Sequence, residues 1–249
     1  MTTSNCDLSG YTRIRIKTTI DAEVVRSDSF SVDVETGPMS PVKISRKGDV
    51  LALSRPWSWF LTGFFFQLNR ARARIRMPHL QELDIDDNSS ASIAGFSSPD
   101  EFKLTLSRTS VFNGDLKTGD AVIDVSESSQ AVLNTKCNNI SLKVRGVSAL
   151  SGFIDAAGNA DITVSGNSVI KLYGSAVNIT ADIKNASNAD LAEFPAHDIN
   201  IKLYRLCNVT VNLDGRLDAE VTGASNLKWI GKAVMGATSI TDGSILSQG

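Results

Sequence analysis

Residues 160–172, ADITVSGNSVIKL, decide the fold. Ile162 and Val164 alternate with polar residues, and Ile170 and Leu172 resume that alternation after Ser165-Gly166-Asn167. Alternation is the mark of a half-buried strand, and Ser-Gly-Asn is turn chemistry. The stretch therefore reads as strand, tight turn, strand. The same pattern recurs from Leu83, Leu104, Ile123, Leu142, Ala181, Ile201 and Ala219.

A serine six residues after each of those starts marks the period. It falls at Ser89, Ser110, Ser129, Ser148, Ser168, Ser187 and Ser225, with Cys207 in the remaining slot. The spacings run from 18 to 21 residues. Strand-type units repeating at about 20 residues build a solenoid. Each unit holds two or three short strands and nothing long enough for a helix, which excludes helical and leucine-rich solenoids. A propeller blade needs about twice this length. The fold class is all-β: a single-stranded parallel β-helix whose coils stack about 4.8 Å apart and pile like residues into ladders. Ile93, Leu133, Leu172, Leu191 and Val211 form one inner ladder. The serines share the parity of the apolar residues after them. They are expected to form a buried column of hydroxyls bonded to one another or to backbone, because an unpaired buried hydroxyl is costly. Cys207 fits that column as a near-isostere.

Composition agrees with one large β domain. The chain has 249 residues, 42% hydrophobic and 21% charged, with a net charge of −2. Nucleic-acid binding leaves a basic footprint, which is missing, so no nucleic-acid partner is expected. Cys6, Cys137 and Cys207 are odd in number and far apart, and make neither a disulfide framework nor a zinc set. No stretch has the length of a transmembrane segment. The opening MTTSNCDLSG lacks the basic and apolar regions of a signal peptide. Two readings follow: a cytoplasmic protein if Met1 is the native start, or an exported chain whose leader has been removed.

The expected organisation is a loose tail over residues 1–9, then a β-helix domain over 10–249. Within it, 10–79 form irregular coils and a cap, and 80–246 the regular coils. Two stretches before residue 80 stand out. Residues 55–66, RPWSWFLTGFFF, concentrate Trp57, Trp59, Phe60, Phe64, Phe65 and Phe66. They suit either a cap loop over the end of the core or an apolar surface for self-association or docking. In residues 69–77, NRARARIRM, Arg70, Arg72, Arg74 and Arg76 share one face of a strand. That face suits either a solvated, aggregation-resistant surface or an anion-binding stripe. The stripe is expected beside Arg13, Arg15 and Lys17 of a neighbouring coil.

Three passages carry a family resemblance: MPHLQELDI at 77–85, the turn TGASN at 222–226, and FSVDVE at 30–35. They resemble the head-GIN family of auto-transporter adhesin head domains. Its members carry a proline and Leu-x-x-Leu segment ahead of repeated Ser-Gly-Ala-Ser turns. The likeness spans roughly residues 11–246. It implies a right-handed parallel β-helix and a bacterial, exported or envelope-anchored protein, and it supplies no catalytic residue. The chain departs from the pattern where turns such as Ser107-Arg-Thr-Ser110 and Tyr204-Arg-Leu-Cys207 have lost their glycine.

β-Helices also host polysaccharide lyases and hydrolases, which need clustered carboxylates as acid, base or calcium ligands. The densest acidic group is Asp84, Asp86 and Asp87, and its neighbours one coil on, Thr105 and Ser107, make no carboxylate pair. It reads as a solvated face. His79 and His197 read as turn residues, and no base stands near the serines. No catalytic residue, metal site or cofactor is expected. The leading reading is a non-enzymatic binding or adhesion module of the cell envelope, with a glycan or surface protein as partner. A self-assembling structural β-helix, homo-oligomeric through the aromatic stretch, is the alternative. A carbohydrate-active enzyme is the third.

Overall fold

The computed structural model describes residues 8–37, 41–56 and 70–249. The aromatic stretch from Trp57 to Phe66 lies outside the described residues. The N-terminal third supplies β1 (Arg13–Lys17), β2 (Ile20–Arg26), β3 (Ser31–Glu35), β4 (Lys43–Lys47), β5 (Val50–Ser54) and β6 (Ala71–Met77). The regular coils begin with β7 (Glu82–Asp86) and β8 (Ser90–Ser97), then β9 (Phe102–Leu106) and β10 (Val111–Lys117). They continue through β11 (Ala121–Val125), β12 (Gln130–Cys137), β13 (Ile140–Arg145), β14 (Ala149–Ala156), β15 (Asn159–Ser165) and β16 (Val169–Ser175). The remaining strands are β17 (Asn178–Lys184), β18 (Asn188–Glu193), β19 (Asp198–Tyr204), β20 (Asn208–Leu213), β21 (Arg216–Thr222), β22 (Asn226–Gly231), β23 (Val234–Ile240) and β24 (Ile245–Gln248).

Each regular coil has two strands, one in each of two 12-stranded sheets. From β7 onward the odd strands stack in parallel in one sheet and the even strands in the other. Alternation does the sorting: in β15, Ala160, Ile162 and Val164 are buried while Asp161 faces out. The inward residues of both sheets form one continuous core.

The serine column is buried as its parity requires. Its bonds run to the backbone on both sides. Ser168 Oγ accepts from the Ser148 amide at 3.2 Å and donates to the Ser165 carbonyl at 2.8 Å. The Ser110 and Ser129 amides likewise donate to the next coil's serine Oγ, at 3.1 and 3.2 Å. Cys207 keeps half of this arrangement, its thiol reaching the Tyr204 carbonyl at 3.3 Å.

The corner before each of these residues is two consecutive left-handed residues. Gly166 and Asn167 have φ of 74° and 63°, but Arg108 and Thr109 (49° and 64°) and Arg205 and Leu206 (64° and 63°) adopt the same shape. Left-handed backbone costs about 1–2 kcal/mol in a residue with a Cβ. A ladder across the corner offsets it: the Thr109 amide donates to the Glu127 carbonyl at 2.9 Å, and Ala186 to Arg205 at 2.8 Å. Loss of glycine has therefore not cost the chain its turns.

Two details differ from the sequence reading. The inner ladder has gaps, since Gly114 lies in register between Ile93 and Leu133, and Gly152 opposite Leu172. A Cβ on Gly114 would stand 2.8 Å from the Phe112 ring, and one on Gly152 (φ 151°) would strike the Leu133 carbonyl. Phe112 fills the volume, flanked in its own row by Ala91 and Ala131. The second difference is the stacking order at the N-terminal end. The coil of β5 and β6 lies outside that of β1 and β2, so β1 sits between β5 and β7, and β2 between β6 and β8. β4 and β3 then close the two sheets, each antiparallel to its neighbour.

Candidate binding surface

The stacking order determines where the arginine stripe falls. Arg70 and β6 lie against β2 on one side and β3 on the other. Arg13, Arg15 and Lys17 belong to β1 in the other sheet, so the expected juxtaposition with them does not occur. The stripe is bracketed by carboxylates instead. Arg70 pairs with Asp21 at 2.7 Å, Arg74 with Glu23 at 3.3 Å and Arg76 with Asp33 at 2.9 Å. Arg72 lies in register between Asp21 and Glu35. Arg72, Arg74 and Arg76 thus face Asp21, Glu23, Asp33 and Glu35 along an open concavity of about 690 Å³, with Arg70 beside it. The rows are charge-balanced, and an anion would have to displace a carboxylate from Arg70, Arg74 or Arg76 to take it.

The acidic group behaves differently from a solvated face. Asp86 is buried, because β1 supplies the neighbour that sequential stacking would not. Lys17 Nζ lies 3.0 Å away, Ser107 Oγ donates at 2.8 Å, and Arg108 closes a third side. Burial alone would raise the Asp86 pKa. The hydrogen bonds from Ser107 and Lys17, the Lys17 charge and Arg108 outweigh it and hold the carboxyl below its usual value. Asp84 pairs with Arg15 at 2.8 Å. These groups tie β1, β7 and the corner after β9 together.

His197 is an exposed corner residue 2.9 Å from Asp214. Cys137 is buried, and desolvation pushes its thiol up to about 11, the opposite of an activated nucleophile. Among the described residues, no three His, Cys, Asp or Glu side chains come together to hold a metal ion.

A surface absent from the sequence reading lies on the outer face of the second sheet. Phe153 of β14 and Tyr173 of β16 are register partners, so the two residues stand on adjacent strands about 4.8 Å apart. Phe153 is 47% exposed, the largest of several exposed apolar side chains on this face, with Val111, Val132 and Val169 among the others. Lys171 lies over the Tyr173 ring at 5.5 Å and is held there by Asp190 at 3.2 Å. Asn134 accepts from the Phe153 amide at 3.0 Å. With Val132, Ser151 and Glu193 these residues line an open concavity of about 690 Å³. The register shifts beyond Lys171, where Tyr173 pairs with Glu193. Bulges re-aim side chains in this way. The signal was present in the sequence: Phe153 and Tyr173 are one period apart with the same outward parity.

The model of a family described as "Putative auto-transporter adhesin, head GIN domain" matches residues 10–168 and 147–233. The chain belongs to this family. No curated protein matches it. Among solved structures, a "putative lipid binding protein" from Parabacteroides distasonis is similar at 14% identity and a TM-score of 0.68, covering 98% of this chain and 94% of its own. A "putative adhesin" from Parabacteroides merdae is similar at 14% identity and a TM-score of 0.67, covering 97% and 93%. Likeness at this identity establishes a shared fold across the head-GIN chain. Among its described residues no helix is long and apolar enough to cross a membrane.

Proposed function

We propose that this head-GIN domain is a non-enzymatic binding module of the bacterial cell envelope, and that it binds carbohydrate on the Phe153–Tyr173 face. The observation that carries the reading is the exposed Phe153 in register with the half-buried Tyr173 on a rigid sheet, rimmed by Asn134, Ser151, Glu193 and Lys171, the last held by Asp190. The apolar C–H face of a sugar packs on an aromatic ring, and polar groups at the rim satisfy its hydroxyls. Lys171 is already paired with Asp190, which favours neutral over acidic sugars. The family description as an adhesin head supports an outward-facing binding role.

A glycan microarray probed with the purified chain tests this. We expect retention on neutral glycans and up to about a tenfold loss for Phe153→Ala, since a ring contact contributes about 0.5–1.5 kcal/mol. Phe153 is half exposed, so its removal leaves the core intact. Binding unchanged in Phe153→Ala and Tyr173→Ala, or confined to acidic glycans and lost with Arg72→Ala, would move the site to the arginine stripe.

A further inference from the structure

The two ends of this solenoid are finished differently. At the N-terminal end the outermost strands are β4, KISRK, and β3, SVDVE. Lys43, Arg46, Lys47, Asp33 and Glu35 put charge on both edges, a usual guard against edge-to-edge pairing. At the C-terminal end the sheets finish in β23 and β24, each paired on one side among the described residues. Their other sides present backbone amides and carbonyls along the solenoid axis.

These two edges lack the charge guard. Residues 233–249, AVMGATSITDGSILSQG, hold Asp242 as their one charged residue and contain no proline. A register shift near Gly236 in β23 is the sole irregularity, and β24 pairs in unbroken register. Among the described residues the core also ends uncovered here. Met235 and Ile240 continue the inward columns of Leu217 and Val221, yet they are 42% and 43% exposed. Val234 and Ile245 are more exposed still. Free strand edges, little charge and exposed apolar residues coincide on one small surface.

We propose that this end is an interface with a second copy of the same chain, joined C-terminal end to C-terminal end about a two-fold axis. The surface offers two strand edges at once, one from each sheet, separated by the thickness of the core. A single strand or a flat partner could pair with one edge. Another copy of this end presents two edges at the same separation, and a two-fold rotation lays each antiparallel against its counterpart. The N-terminal end of another copy is a poorer partner, because its charged edges would be desolvated against apolar residues. The contact is self-complementary, so it closes as a dimer.

Light scattering on the eluting chain at micromolar and higher concentrations tests this, with Met235→Lys/Ile240→Lys as the variant. Both positions are partly exposed, so the lysines can reach water in the monomer. We expect twice the 26.7 kDa chain mass for the native sequence and a single chain mass for the variant. Should that variant fail to fold, Ser239→Lys/Ser247→Lys places charge on the outer side of the same strands and decides the question. A native monomer, a dimer that survives the lysines, or a growing polymer would each overturn the proposal. A surviving dimer would direct attention to residues 57–66. None of these outcomes bears on glycan retention by Phe153 and Tyr173.

Discussion

Ser168 satisfies two buried backbone groups at once, the Ser148 amide and the Ser165 carbonyl. Ser168→Ala leaves the Ser148 amide without a partner, while the Ser165 carbonyl keeps the Gly146 amide at 3.2 Å, and an orphaned buried group costs about 1–3 kcal/mol. We expect a loss of about 1–3 kcal/mol in urea unfolding, read as a lower midpoint at an unchanged slope. Ser168→Cys should lose less than half of that, because Cys207 occupies the equivalent slot in its own coil with its thiol on the Tyr204 carbonyl. Equal losses for the two variants would mean that the thiol does not replace the hydrogen bonds of the hydroxyl. The corner residues allow the opposite experiment. Val147 is β-branched, left-handed at φ 66° and exposed. Val147→Gly relieves the backbone and removes little packing, so we expect a gain of about 1 kcal/mol. A destabilised Val147→Gly would show that the side chain covers its neighbours despite its exposure.

At the scale of strands, periodicity revealed most of what there is to see. Alternation and the serine marker place β7 to β22 and their inward faces, because each such coil repeats one local pattern. Stacking order has no local pattern, so nothing in residues 50–77 announces that β5 and β6 lie outside β1 and β2. Asp86 pays for that in legibility: its partner Lys17 is 69 residues back, and the sequence makes it look solvated. Its contribution can be measured. A carboxyl whose folded pKa lies below its unfolded value adds stability above the unfolded pKa and loses it as pH falls through the folded one. Asp218 belongs to the same class, drawn to about 2 by Arg216 and the Ala237 amide. Stability should therefore fall between about pH 4 and pH 2. Asp86→Asn should cost about 2 kcal/mol at pH 7, by analogy with charge-assisted hydrogen bonds, and progressively less as the pH falls through the lowered pKa of Asp86. A pH-independent difference would place the effect in packing and not in the ion pairs.

For the whole molecule, the solenoid is a rigid ruler that sets outward side chains at fixed spacing. Charged rows on it neutralise one another, as Arg145 does with Asp124 at 2.8 Å and Lys136 with Asp155 at 2.9 Å. The arginine stripe was legible in the sequence because four arginines alternate within one strand; its carboxylate partners were not, because β2 and β3 bring them from elsewhere. The Phe153–Tyr173 pair was overlooked for a related reason. Each ring is unremarkable in its own strand, and only the coil-to-coil register makes them a surface. The most direct test of a binding role for that surface is an amide chemical-shift titration with the tightest-binding neutral glycan from the array. We expect shifts confined to the neighbourhood of Val132–Asn134, Ser151–Phe153 and Lys171–Tyr173, saturating together. Shifts centred on β6, or no saturable shifts with any neutral glycan, would contradict it.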